Sequence, residues 1–488
     1  MVDSDEQNLK KKVLSPNIFG KVGRLAHFVG RFGAVLALTV GVLFLPTPEG
    51  LSAEGHRALA AFVFTASILG LEPVSLPIAA LMVPVALVAL GIATAPEAFQ
   101  TFSRPVVFLI LASLFLAEAL RKLGLTRRLA MQAIVISGGG TRALLFGLMS
   151  IAALFSMWVG NTATAAMLIP VALTIAKQVP DKDHARSLLT LLALGLAYSA
   201  SLGGMGTILG GAANAVASGF LAELGPWSFV DWMKYGLPSF VVLFPLTWWL
   251  LCKLVKTEVT GLDVAPARER LKEMGPITRR EKEVLGVLFA AAVLWVGGPF
   301  AEGFFGLPQT LFSSAIVAVM AVSYMAVRLI ITWEDVKGVS WGIFLIIGAG
   351  LSLGEALTRT GATVWFSGLI APLVTGPNFL VTLILLVLIS ALLTNLLNNT
   401  TIAAVFVPVL ITLAADIPAI TPVQLVLPVT LATTFGYSLP SASGRMALIA
   451  STGIVDKADM IKYGLIVTVV SSVVLALLFY GFTLAGLI

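Results

Sequence analysis

Asn161-Thr162-Ala163-Thr164-Ala165-Ala166-Met167-Leu168-Ile169-Pro170 and Asn399-Thr400-Thr401-Ile402-Ala403-Ala404-Val405-Phe406-Val407-Pro408 share one pattern, N-T-x-x-A-A-x-x-x-P, at a spacing of 238 (399 − 161). Each copy sits in the middle of a long apolar stretch. Hydrocarbon offers no partner to an amide or a hydroxyl, so polar groups placed there must find one another or a ligand. A lone Asn could serve as hydrogen-bonding glue between helices. Two pairs with the same surroundings read instead as one polar site assembled from two related halves.

Composition sets the surroundings of that site. The chain has 488 residues, 58% of them hydrophobic and 11% charged. So few charges cannot cover a soluble protein of this size, which gives an all-α polytopic membrane protein. The 45 glycines and 24 prolines point to broken helices and re-entrant turns, tolerated where protein or a water-filled cavity lines them. Cys252 is the single cysteine, which excludes an internal disulfide. The formal charge of +6 reads as membrane topology, and no nucleic-acid partner is expected.

Apolar runs of spanning length lie near 32–47, 57–71, 74–93, 105–120, 186–222, 228–255, 283–300, 308–330, 341–357, 424–450 and 463–488. They predict about 11 transmembrane helices. Two further stretches, 131–178 and 366–415, are too long for one helix and carry the Asn-Thr pairs at their centres. Each reads as a re-entrant hairpin that enters and leaves on the same side. The charges agree with this count. Arg121, Lys122, Arg127 and Arg128, then Lys182 and Arg186, then the basic connection 256–282 fall on one side, while 48–56, 222–227, 301–307 and 413–423 hold no Lys or Arg. By the positive-inside rule the N-terminus is cytoplasmic. Residues 1–30 are polar and basic and read as a cytoplasmic tail with a short surface helix, not as a cleavable signal.

The repeat extends beyond the Asn-Thr pairs. Glu118-Ala119-Leu120 and Gly124 match Glu355-Ala356-Leu357 and Gly361 at 237 (355 − 118), and Asp231 to Leu237 matches Asp459 to Leu465 at 228 (462 − 234). Five crossings separate the matched fourth and ninth spans. An odd number makes the halves point opposite ways, the inverted-repeat signature of a secondary transporter with a midplane site. The expected units are a scaffold at 31–130 and 283–365, and a transport domain at 131–255 and 366–488. Residues 256–282 form a cytoplasmic linker.

Each half holds a second break. The first is Ser201-Leu202-Gly203-Gly204-Met205-Gly206-Thr207-Ile208-Leu209-Gly210-Gly211-Ala212-Ala213-Asn214, within 186–222. Unwinding there frees carbonyls for a cation and leaves a half-helix N-terminus that attracts an anion. Its G-x-G spacing is no nucleotide loop, because no strand precedes it. The second is Phe435-Gly436-Tyr437-Ser438-Leu439-Pro440-Ser441-Ala442-Ser443-Gly444-Arg445, within 424–450. Pro440 removes a backbone donor. Arg445 either faces inward at cost, as functional intramembrane cations do, or snorkels to the surface. Ser156 precedes Asn161 by five residues, as Thr394 precedes Asn399; Asn395 and Asn398 add carbonyl oxygens. Uncharged oxygens suit a hard cation such as sodium rather than zinc or copper. No metal-hydrolase, serine-triad or P-loop pattern occurs, so neither an enzyme nor an ATP-driven pump is expected.

With these residues the chain resembles the divalent anion–sodium symporter family of di- and tricarboxylate and sulfate carriers. The family carries Ser-Asn-Thr at each hairpin tip; here the tips read Gly160-Asn161-Thr162 and Asn398-Asn399-Thr400. Glu72, Pro77 and Pro84 add an early match, and the likeness runs from about 57 to 470. The resemblance implies an elevator-type homodimer in the cell's inner (plasma) membrane. It implies a substrate site from Asn161, Thr162, Asn399 and Thr400, with Gly211, Ser441, Ala442 and Arg445 from the breaks. One sodium would be held by Ser156, Gly160, Asn161 and Gly210, the other by Thr394, Asn398, Asn399 and Pro440. The departures are as informative. Both motif serines are replaced, and Gly211-Ala212-Ala213-Asn214 and Ser441-Ala442-Ser443-Gly444-Arg445 stand where the family has Thr-Pro-Pro-Asn. A fixed Arg can supply charge that a sodium otherwise brings, so both symport and exchange remain open. The reading is a secondary carrier of small divalent organic anions with no cofactor beyond sodium. Its rivals are a sulfate-type oxyanion carrier and an anion channel.

Overall fold

The computed structural model describes residues 18–374, 378–417, 420–453 and 455–488. These residues form helices joined by turns, with one isolated antiparallel bridge between Gly140 and Gly261. The first part of the expected tail, residues 1–17, lies outside them. From residue 18 the chain is already helical, and Ile18–Phe44 runs without interruption into the first apolar run.

Six described helices are long and apolar enough to cross a membrane: Thr141–Val159, Lys182–Met205, Phe229–Leu254, Arg279–Phe305, Gly342–Arg359 and Lys457–Leu484. Ala95–Ser103 with Pro105–Lys122, bent by 47°, makes a further candidate, and eight shorter apolar stretches of helix among the described residues have 10–17 residues. Several runs expected as full spans, such as 74–93 and 308–330, form shorter helices, Leu76–Ala89 and Ser314–Val327. A run of apolar residues fixes neither where the backbone stops being helical nor how deeply it sits.

Both hairpins are shorter than expected, for one reason. Their first residues belong to separate helices, Leu125–Ile136 and Ala362–Val374. After Ile136 the chain turns through Gly138 and Gly139, both at positive φ (62° and 86°). A Cβ on Gly139 would lie 2.2 Å from Leu262 O, so only glycine fits there. The backbone of the 256–282 connection binds at this turn: Leu262 N donates to Gly139 O (3.0 Å) and Thr141 N to Thr260 O (3.4 Å). That connection is also more ordered than a linker, with a helix at Ala265–Glu273. Arg128 on Leu125–Ile136 is buried and donates to Glu281 Oε1 (2.8 Å) and to Gly275 O (2.7 Å). A buried ion pair is kept only when its remaining hydrogen bonds are met, and here backbone carbonyls meet them.

The hairpin arms are Thr141–Val159 with Asn161–Ala176, and Phe379–Leu393 with Asn399–Asp416. The broken helices follow each hairpin: Lys182–Met205 then Ala212–Leu224, and Pro422–Ala432 then Gly444–Ser451. The halves interlock. Ala212–Leu224 packs on the second arm of the second hairpin, and Gly444–Ser451 packs on the second arm of the first.

Candidate anion site at the hairpin tips

Gly160 joins the arms of the first hairpin at φ 81°, ψ 150°. This is backbone that a side chain rarely adopts, and it lets the chain reverse in a single residue. The next helix begins at Asn161 with no side-chain cap, so its first N–H groups are left for other acceptors. The Asn161 side chain turns back under the tip. Its amide nitrogen faces Ser156 Oγ (2.7 Å), Gly210 O (2.8 Å) and Ala200 O (3.1 Å). Backbone approach is close throughout this corner. A Cβ on Gly210 would lie 2.2 Å from Gly204 O, and one on Gly203 would lie 2.1 Å from Ala153 O. The glycine cluster therefore serves both unwinding and packing.

The first break is tied by two side chains to which the sequence reading gave no role. Asn214 Nδ2 donates to Gly204 O and Thr207 O (2.8 Å each), across the unwound segment. Thr207 Oγ1 donates to Met157 O (2.5 Å) on the hairpin and accepts from Gly210 N (3.2 Å). Both lie inside the Gly-rich stretch that marks the break, and that location was the available signal.

The second half repeats the arrangement with different residues. The Thr394 hydroxyl reaches Asn399 Oδ1 (2.5 Å) and Thr433 O (2.9 Å), as Ser156 meets Asn161. Asn398, expected as a cation ligand, also serves its own helix: its Oδ1 accepts from Thr400 N (2.9 Å) as the N-cap, the usual use of Asn at that position. Asn395 is structural as well, donating to Ala391 O (2.8 Å) and accepting from Ser438 N (2.9 Å). It fixes the second break to the second hairpin. Pro440 and Ala442 lie in a short 3-10 turn, with Ala442 buried and Ser441 exposed.

Arg445 faces inward. Its residue is 1% exposed, which rules out snorkelling. Its guanidinium donates to Thr434 O (2.9 Å) and Gly436 O (3.4 Å), carbonyls just past the C-terminal end of Pro422–Ala432. A cation is favoured at that end of a helix. Arg445 Nε is buried and finds no acceptor among the described residues. Beside the unwound segment the Tyr198 and Tyr437 rings pack with centroids 4.2 Å apart, and Tyr198 OH donates to Tyr437 O (3.3 Å).

The first tip meets the second break through the interlocked halves. A Cβ on Gly444 would lie 2.8 Å from Thr162 Cγ2, so the first tip touches the second break next to Arg445. Asn161, Gly211 and Asn399 are half-buried, Thr162 is exposed and Thr400 is buried. The structure thus joins Ser156, Asn161 and Gly210 in one cluster, and Thr394 and Asn399 in another with Thr433. Gly160 supplies the turn, and its carbonyl accepts from Thr164 N and Oγ1 (3.2 and 3.0 Å). In chemical terms, each half offers uncharged oxygens beside a helix N-terminus, and the second adds a buried guanidinium.

Comparison with known proteins agrees with this architecture. The family described as "Sodium:sulfate symporter transmembrane region" matches residues 26–487. An uncharacterized transporter of Haemophilus influenzae is 30% identical over 472 residues, 95% of this chain and 100% of that one. The sodium-dependent dicarboxylate transporter SdcS of Staphylococcus saprophyticus is 28% identical over 483 residues, 94% of this chain and 91% of that one. Among solved structures, Neisseria gonorrhoeae MtrF, described within a class of antimetabolite efflux pumps, superposes with a TM-score of 0.54 at 12% identity, over 93% of this chain and 94% of that one. That last likeness is one of fold alone.

Proposed function

The chain belongs to the sodium:sulfate symporter family, and on that premise we propose that this integral membrane transporter carries small divalent organic anions, di- or tricarboxylates, by an elevator motion. The observation that carries the reading is the repeated hydroxyl–amide pair, Ser156 with Asn161 and Thr394 with Asn399, at two hairpin tips, the first of which touches the second half's break beside Arg445. In this reading Asn161, Thr162, Asn399 and Thr400 hold the substrate, with Gly211, Ser441 and Ala442 around them. The similarity to SdcS favours a dicarboxylate. The family description names sulfate, which keeps an inorganic dianion as the second reading. The transporter is read as a plasma-membrane homodimer with its N-terminus in the cytoplasm.

A dianion at the membrane midplane needs compensating charge. The oxygens that hold the Asn161 amide nitrogen would hold a sodium ion if the amide turned its own oxygen inward, so the first cluster fits a co-transported sodium. In the second half the charge is Arg445, whose guanidinium sits on the carbonyls beside the Thr394 cluster and keeps an unpaired Nε. A fixed cation stays behind when the substrate leaves. The empty carrier then moves with an uncompensated buried charge, which slows the unloaded return step and favours exchange.

Uptake of radiolabelled succinate into proteoliposomes tests both parts, with and without internal substrate and with and without sodium. Wild type is expected to need internal substrate, and Arg445→Asn to lose that need. If Arg445→Asn matches wild type in all four conditions, Arg445 plays no part in charge balance. Wild-type uptake that requires sodium and no internal substrate contradicts exchange even if Arg445 binds the anion.

A further inference from the structure

Among the ion pairs between described side chains, Arg104 with Glu223 is the one that joins the two units of the proposed elevator. Arg104 is the N-cap of Pro105–Lys122, in the scaffold, and Glu223 lies in the last turn of Ala212–Leu224, the half-helix after the first break. Other pairs stay within a unit or tie one to the 256–282 connection: Arg359 with Glu97 (2.6 Å) and Lys122 with Asp335 (2.6 Å) lie in the scaffold and Arg186 with Asp456 (2.7 Å) in the transport unit, while Arg128 with Glu281 (2.8 Å) and His184 with Glu258 (3.0 Å) reach the connection. Arg104 also donates to Glu355 Oε2 (2.9 Å) on Gly342–Arg359, again in the scaffold.

We propose that Arg104, shared between Glu223 and Glu355, is a one-sided latch that holds the transport unit in the position described here. The proposal rests on the division into scaffold and transport unit given above. Three observations carry it. The guanidinium bridges a fixed and a moving carboxylate, so release of Glu223 leaves Arg104 paired with Glu355 instead of bare. The Arg104 side chain is 23% exposed and that of Glu223 is 47% exposed, so water can take over the released carboxylate. Finally, the second half has no counterpart: the 237-residue offset carries Arg104 onto Trp341, and the 228-residue offset carries Glu223 onto Ser451. The inverted repeat that makes the two end states similar is broken at this bridge. Solvent-exposed ion pairs are weak, so the latch biases the two positions severalfold and does not lock either.

The two carboxylates give opposite expectations. Glu223→Gln frees the moving unit. Glu355→Gln leaves Arg104 with Glu223 as its carboxylate partner and tightens the latch. In proteoliposomes the rate of succinate exchange is expected to rise about twofold to fivefold in Glu223→Gln and to fall in Glu355→Gln, with the substrate concentration for half-maximal rate unchanged. A second variant, Arg104→Cys with Glu223→Cys on a Cys252→Ser background, is cross-linked by a short bis-maleimide and is expected to lose at least tenfold in rate. Cross-linked protein that transports at the uncross-linked rate overturns the latch, as do two Gln variants whose rates stay unchanged or shift in the same direction. Absence of uptake before cross-linking counts instead against the anion-carrier reading itself.

Discussion

Gly204 shows how little room the site leaves for a single atom. A Cβ there would lie 2.1 Å from the inward atom of the Asn161 amide and 2.8 Å from Gly210 O. At neighbouring Gly203 the obstacle is backbone, with Ala153 O at 2.1 Å and its Cα at 2.5 Å. The two substitutions should therefore separate function from stability. Gly204→Ala must displace both the Asn161 amide and the Gly210 carbonyl and is expected to lower uptake at least tenfold, with a smaller shift in thermal midpoint than Gly203→Ala. Gly203→Ala must move a helix and is expected to lower the midpoint of purified protein by more. Equal midpoints with equal uptake would show that the corner is looser than described. At the same scale, on the proposed reading Asn161→Ala and Asn399→Ala each remove a hydrogen bond to the charged substrate, worth about 1.5–3 kcal/mol, or roughly tenfold to a hundredfold in affinity. The Asn-Thr pairs were legible in the sequence because the repeat marks them. The burial of Arg445 was not, since a cation near a helix end can turn to the surface or inward, and packing from the other half decides. The use of Asn398 as a cap was hidden similarly, because an Asn before a helix can serve the helix or a ligand.

The elements were legible in kind and misplaced at their ends. Apolar length and a central polar break gave both hairpins, but 131–136 and 366–374 belong to neighbouring helices. Hydropathy runs on through these junctions while the backbone turns. In the first hairpin the turn signal, Gly138-Gly139-Gly140, lay within the apolar run. What makes Gly139 obligatory is contact with Leu262, more than a hundred residues away, which no local pattern contains. Gly139→Ala forces a side chain into positive φ and against Leu262 O, and a loss of about 1–3 kcal/mol is expected. The first break makes a second test. Asn214→Ala leaves two carbonyls, Gly204 O and Thr207 O, without their donor, and an unmet buried group costs about 1–3 kcal/mol. Thermal unfolding in detergent reads both changes. A midpoint unchanged by Asn214→Ala would mean that the break does not need this tie.

For the whole molecule, the repeat offsets revealed two halves, whereas their interlocking was out of reach. Ala212–Leu224 meets Asn399–Asp416, and Gly444–Ser451 meets Asn161–Ala176, contacts that pair one half's break with the other half's hairpin. Matching residues within each half says nothing about such exchange. The inverted topology predicts that the hairpins open to opposite sides. On a Cys252→Ser background, Lys182→Cys should label only from the cytoplasm and Asn378→Cys only from outside; labelling of both from one side would contradict the inversion. The central claim is that the paired hairpin tips form one carrier site for a small dianion. Its most direct test is counter-flow of labelled succinate in proteoliposomes holding wild type, Asn161→Ala or Asn399→Ala. The account predicts saturable counter-flow in wild type, competed by other dicarboxylates and lost in each variant while the protein remains folded. Flux that rises linearly with concentration, or variants that both transport like wild type, would contradict it.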